Sequence, residues 1–187
     1  MIPQKIQIRN FLSYGPVLQT IDFSLYSLIC LSGKNGHGKS ALLDAITWAV
    51  WGQARKVSGV AKADQGLLRL GQTQMLVVFD FIFGNKHYRI RREYMETYGK
   101  PVAVLEFGLL NTDTDTLIPL TDKTIKTTQE KIEQTLGIDF DSFSNSAFLR
   151  QGNSNEFSKK SAKERKQILA TILGLDQYEI IRKLAIE

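Results

Sequence analysis

Residues 27–52 read SLICLSGKNGHGKSALLDAITWAVWG, and the fold class turns on this stretch. Within it, residues 33–40, GKNGHGKS, fill every fixed position of the pattern G-x-x-x-x-G-K-[ST]. Glycines there let the backbone turn its N–H groups toward a single point, and a helix starting at the lysine adds its positive dipole end. Such a loop suits phosphate oxygens. The flanks agree with the motif. Residues 27–32 are the short apolar run of a buried strand, and ALLDAITWAVW reads as a helix closed by Gly52 and apolar on nearly every side, hence packed within a core. Lys39 is expected to hold the outer phosphates of a nucleotide, with the Ser40 hydroxyl on a magnesium ion that bridges them. The competing reading is a glycine-rich turn that merely caps a helix.

Working outward, the chain has 187 residues, enough for a real hydrophobic core. Its 24 Lys and Arg against 19 Asp and Glu give a net charge of +5, which permits a polyanionic partner without demanding one. The single cysteine, Cys30, lies inside the apolar run, so it is expected to be a small core residue in a reducing compartment. Neither an apolar span of membrane length nor a secretion leader is visible, which makes the cytoplasm the expected location, with no membrane partner.

Upstream, residues 4–11 and 17–25 alternate apolar and polar around the turn at Tyr14, Gly15 and Pro16, so the opening reads as two or three strands. Downstream, residues 53–74 show no period and read as irregular surface. Residues 75–83 and 86–95 are strand-like and flank Gly84 and Asn85, a pair suited to a hairpin turn; 102–110 is a third strand, giving an antiparallel meander. Residues 122–136 look helical, with Ile125, Ile132 and Leu136 on one side and Gly137 as stop signal. Residues 139–148 alternate like a strand. Ser161 with Glu164 forms a capping box for a helix running to Leu173 and ended by Gly174, and Asp176 with Glu179 forms a second. That last helix has few residues and no C-cap, so the polypeptide reads as a piece cut from a longer one.

Phosphoryl chemistry needs a second carboxylate near the metal. Asp80 ends the run MLVVFD, but the strand continues through Phe81, Ile82 and Phe83, so Asp80 reads as a strand residue rather than a ligand. A signature of the LSGG type is also missing. Gln151, in FLRQG, could reach a metal and a water from the end of a strand, or be an ordinary loop glutamine. The strand-spaced His87, Arg89 and Arg91 could meet DNA phosphates or form a solvated sheet face, and Lys159, Lys160 and Lys163 pose the same choice.

Four segments taken together, KIQIRNFLSYG, GKNGHGKSALLDAITWAVWG, FLRQG and SAKERKQILATILGLDQYEIIRKL, resemble the N-terminal half of an SMC-like ABC ATPase head, closest to the SbcC type of DNA double-strand-break repair ATPases. The resemblance implies an α/β P-loop NTPase fold: an N-terminal lobe over 1–174 with the antiparallel meander, and the start of a coiled-coil helix over 175–187. It implies that Asn35, Gly36, His37, Gly38, Lys39, Ser40 and Ala41 bind ATP, His37 and Ala41 through their backbones. Ser40 and Gln151 would meet Mg2+, Gln151 as the catalytic Q-loop glutamine. Asn10 and Phe11 match the first-strand signature, while Leu12 stands where some relatives have a basic residue. Partners implied are a C-terminal lobe of the same ATPase, a second head joined by ATP, an SbcD-type nuclease, and DNA. By itself the chain is expected to be inactive. Two other classes, a small P-loop kinase and a noncatalytic ATP-binding module, also contain such a loop.

Overall fold

The computed structural model describes residues 1–54, 63–146, 161–172 and 175, and the chain divides into two compact units, Met1–Ile132 and Glu133–Glu187. The first is built on a six-stranded antiparallel sheet: β1 (Ile2–Arg9), β2 (Gln19–Asp22), β3 (Gln74–Phe83), β4 (Lys86–Thr97), β5 (Lys100–Asn111) and β6 (Thr116–Pro119), in the order β2-β1-β3-β4-β5-β6. Helices α1 (Lys39–Trp51) and α2 (Ala63–Leu67) belong to the same unit, and α3 (Ile125–Leu136) begins in it.

The meander is the one expected from the sequence, and its turns show why. Gly84 (φ 54°) and Asn85 (φ 62°) both take the left-handed conformation that a tight two-residue hairpin requires. Strand alternation then sorts the side chains. Met75, Val77, Phe79 and Phe81 of β3, Ile6 and Ile8 of β1, Tyr88 and Ile90 of β4 and Phe107 of β5 are all buried. A row of rings runs across this layer from Phe79 through Phe81 and Tyr88 to Phe107, with centroids 5.5, 5.5 and 5.6 Å apart. Each such pair adds about 0.5–1.5 kcal/mol beyond its area burial.

Helix α1 is packed as its composition predicts: Ala41, Leu42, Ala45, Trp48, Ala49, Val50 and Trp51 are buried, and Gly52 (φ 67°) ends it with its amide on the Trp48 carbonyl at 2.8 Å. Trp48 lies 5.5 Å from Phe11, ring to ring, and its Nε1 donates to Asp64 Oδ1 of α2 at 2.8 Å. Residues 63–68 are therefore more structured than the lack of period over 53–74 suggested, while 55–62 lie outside the described residues. Leu67 is buried, Leu68 bridges Phe11, and the Leu67 carbonyl accepts the Leu12 amide at 2.7 Å.

Two expectations fail near the loop. Residues 27–32 form no strand, with Leu28 89% exposed, and Cys30 is an exposed free thiol rather than a core residue. An apolar run becomes a strand only where neighbouring strands satisfy its backbone groups, and none of the described sheet pairings includes it. The sheet also gains β6, which the polar turn after β5 had hidden. Gly108 makes room for it: a Cβ there would come within 2.5 Å of the Ile118 carbonyl oxygen.

In the second unit, α3 ends as expected at Gly137 (φ 66°), whose amide donates to the Glu133 carbonyl at 2.8 Å. Residues 139–146 are not a strand: Asp139 Oδ1 accepts the Ser142 amide at 2.8 Å and opens helix α4 (Phe140–Ser146), local capping overriding the alternation. Helix α5 (Ala162–Ile172) begins at the expected capping box, with the Ser161 amide on Glu164 Oε2 at 2.8 Å and the Glu164 amide on Ser161 Oγ at 3.3 Å. The second box, Asp176 with Glu179, and the 174/175 boundary with the coiled-coil start lie outside the described residues. Among the described residues no helix is long and apolar enough to cross a membrane.

Candidate nucleotide-binding site

The glycine-rich loop gets its shape from left-handed backbone: Gly33 has φ 145°, Gly36 84° and Gly38 85°. Gly38 is also the N-cap of α1, and no side chain caps the helix there. The first amides of α1 thus lack the oxygen that a Ser or Asp cap would supply, which leaves the N-terminal dipole end available to an anion. Lys39 folds back over the loop, its Nζ donating to the carbonyl oxygens of Gly33 at 2.7 Å and Lys34 at 2.8 Å. Asn35, Gly36, His37 and Ser40 are exposed, and Ala41 is buried beneath them. The His37 amide donates to the Lys34 carbonyl at 3.4 Å, closing a turn within the loop.

The loop after β1 buttresses this arrangement. Asn10 (φ 53°) and Leu12 (φ 49°) take left-handed conformations rare for residues with side chains. They are held from both sides, by the Asn10 amide on the Gly15 carbonyl and the Arg69 amide on the Asn10 carbonyl, each 2.9 Å. Ser13 presses on the glycine-rich loop so closely that a Cβ at Gly38 would lie 2.7 Å from its Oγ. The Tyr14 hydroxyl faces the Gly38 carbonyl at 3.5 Å, and burial raises its pKa. Only glycine fits the turn and the contact at position 38. Phe11 is fully buried against Trp48, which makes it a core residue here.

These features suit phosphate: an uncapped helix N-terminus, one ammonium resting on loop carbonyls and an exposed hydroxyl at Ser40. A magnesium ion would find little else among the described residues, where no group of three or more His, Cys, Asp or Glu could hold a metal. Asp80 is not free for that role. It is buried on β3, opposite Arg89, which donates from Nε to Oδ1 at 2.7 Å and from Nη2 to Oδ2 at 2.8 Å, with Lys5 a further partner at 3.5 Å. The Asp80 hydrogen bonds hold the Arg89 guanidinium well above its ordinary pKa against the opposing effect of burial, and Asp115 adds to this.

The same partners account for the basic row on β4. Arg89 also reaches Asp115 at 2.9 Å, while Arg91 pairs with Glu106 at 3.1 Å and with Glu93. Both arginines are thus already engaged by carboxylates on their own sheet face. Lys163 is exposed in the first turn of α5; Gln151, Lys159 and Lys160 lie outside the described residues.

Residues 5–186 match the AAA domain family (AAA_23), and the chain belongs to it. A probable DNA double-strand break repair Rad50 ATPase of Aquifex aeolicus is 31% identical over 192 residues, covering 100% of this chain and 18% of that protein. The SbcC component of the nuclease SbcCD from Deinococcus radiodurans is 28% identical over 186 residues, 99% of this chain and 20% of that one. The chain spans about a fifth of the length of these curated relatives.

The fold agrees. A structure from work on ATP-driven dimerization and DNA stimulated activation of SMC ATPases superposes with a TM-score of 0.62 at 22% identity, covering 92% of this chain and 99% of that one. The SmcHead bound to the C-winged helix domain of ScpA gives 0.54 at 20% identity, over 91% of this chain and 55% of that one. The resemblance to the N-terminal lobe of an SbcC-like, SMC-like ATPase head is therefore borne out, and with it the P-loop NTPase fold class.

Proposed function

We propose that this chain is the ATP-binding half of a DNA-repair ATPase head that hydrolyses ATP once joined to a C-terminal lobe and paired with a second head. The observation that carries the reading is Lys39 lying across its own loop on the Gly33 and Lys34 carbonyls. An arriving triphosphate offers that ammonium stronger, charged acceptors. The lysine exchanges two carbonyls for phosphate oxygens, and the amides of 35–41 close around them. Ser40 and Gln151 would hold Mg2+, which when bound neutralises charge between the phosphates. Among the described residues no group of three or more His, Cys, Asp or Glu could hold a metal, so the rest of the metal shell falls to the C-terminal lobe.

The exposed residues near the loop support that division. Leu25, Tyr26, Leu28, Ile29 and Leu31 are all exposed, an apolar stretch of the kind that marks an interaction site. Coupling to an SbcD-type nuclease and action on DNA ends follow from the likeness to Rad50 and SbcC proteins, as does a cytoplasmic location. The test is reconstitution. This chain alone should hydrolyse ATP negligibly, and adding the C-terminal lobe should restore turnover. Gln151→Ala in the joined head should leave ATP affinity within about tenfold, roughly 1.4 kcal/mol of coupling, while hydrolysis and ATP-driven dimerisation by light scattering fall much further. Robust turnover by the isolated chain would sink the split-head reading. Phosphate transfer to a small acceptor would favour a kinase, and binding without turnover in the joined head a noncatalytic module.

A further inference from the structure

Helix α1 has one open end and one closed end. Its N-terminus carries the glycine-rich loop and no side-chain cap. At its C-terminus the last carbonyls, which have no partner inside a helix, are taken one by one. The Gly52 amide donates to Trp48 O at 2.8 Å, Arg92 Nε to Ala49 O at 3.1 Å, and Gln129 Nε2 to Val50 O at 3.1 Å. Arg92 comes from β4 and Gln129 from α3, and the two are joined by Arg92 Nη2 donating to Gln129 Oε1 at 2.6 Å. Arg92 is buried, its guanidinium carbon 5.9 Å from the centroid of the Trp48 ring. A Cβ at Gly52 would approach its Nη1 to 3.1 Å.

A buried cation is costly and survives only where hydrogen bonds and charge compensate it. Burial pushes the Arg92 guanidinium pKa down to about 10, and against that stand the nearby Asp64 carboxylate, which favours the charged form, and the negative end of the α1 dipole. Apolar packing holds a helix against a sheet but is non-directional. Hydrogen bonds at both Ala49 and Val50 fix where along its axis the helix sits. That axial position sets where Lys39 and the first amides meet phosphate, a helix length of about 20 Å away.

We propose that Arg92 and Gln129 are positioning residues for the phosphate loop, a bracket of β4 and α3 that clamps the far end of α1 so that its near end holds a fixed distance from the nucleotide. The proposal rests on the nucleotide-binding reading above and assigns to that site two residues far from it in sequence and in space. Neither residue touches nucleotide; both act through the helix.

The experiment uses the full-length protein with Arg92→Met, Arg92→Lys and Gln129→Met, and Lys39→Ala as control. Affinities for ATP and for inorganic tripolyphosphate are measured by calorimetry well below each variant's own melting transition. Arg92→Met and Gln129→Met should each weaken both ligands by about five- to tenfold, the low end of coupling between separated sites. Arg92→Lys, which keeps the charge and loses the fork, should fall between them and the parent. Equal losses for ATP and tripolyphosphate are expected because the bracket positions phosphate contacts. If affinities stay at the parent value while melting temperatures fall, the bracket is only structural and the proposal is overturned. Should Arg92→Met fail to fold, the half-buried Gln129 decides by the same criterion. If Lys39→Ala binds ATP like the parent, the site reading fails and takes the proposal with it; a normal Lys39→Ala defect with unchanged Arg92 and Gln129 variants sinks the proposal alone.

Discussion

Two apolar stretches flank the glycine-rich loop, and they end in opposite surroundings. Helix α1 buries nine of its residues, whereas residues 25–31 leave Leu25 and Leu28 76% and 89% exposed. Composition does not separate them; what differs is how each satisfies its backbone. A helix closes all but its end hydrogen bonds within itself, so α1 needs a surface to lie on, which the buried face of β3 and β4 supplies, and partners for its last carbonyls alone. A strand must borrow its partners. The first stretch has the side chains of a strand and, among the described pairings, no ladder to join. Apolar sequence states a demand for burial, and topology determines whether the same chain meets it.

The contrast can be broken at its stronger end. Trp48→Ala should destabilise the first unit by about 3–5 kcal/mol, because it empties a fully buried site and leaves Phe11 and Asp64 without their ring partners. Chemical denaturation measures it, and a loss below about 1 kcal/mol would mean that α1 is not the core element described. At the head of the same helix, Lys39→Ala should weaken ATP binding at least about a hundredfold, some 2.7 kcal/mol. Circular dichroism should stay unchanged, since the lost contacts are two carbonyls of a surface loop. Calorimetry with parent-like affinity would remove the site assignment.

The weaker end calls for the opposite pattern. Leu28→Glu should change the stability of this lobe by less than about 0.5 kcal/mol, as surface substitutions do, yet should abolish its association with a C-terminal lobe in co-purification. A large stability loss in the lobe alone would show that residues 25–31 are already buried in solution, and the comparison with α1 would collapse.

Legibility followed sequence distance. The glycine-rich pattern, the helix stop at Gly52, the Gly84 and Asn85 turn, the Gly137 stop and the Ser161 box were all readable because their physics is confined to a few neighbouring residues. Asp139 carried the same kind of signal, since an Asp side chain can cap a helix by accepting the backbone amide three residues on, but the alternation of the following residues masked it. Gly108 was the one hint of β6, because a glycine inside a strand often marks close backbone approach. Nothing local announced Arg92 as the cap of α1, 43 positions along the chain from Ala49, nor Asp64 as the partner of Trp48.

The sequence by itself thus determined the loop, the helix behind it and the hairpins, since glycine conformations, caps and side-chain periodicity act over a turn or two of chain. Only the tertiary structure decided which charges and apolar groups are already spent. Arg89 and Arg91 are engaged by Asp80, Asp115, Glu106 and Glu93, and Arg92 closes a helix, while residues 27–32 stay exposed. The reason is that neutralisation and burial depend on what lies within a few ångströms in space, and strand register brings together residues that the chain itself keeps far apart.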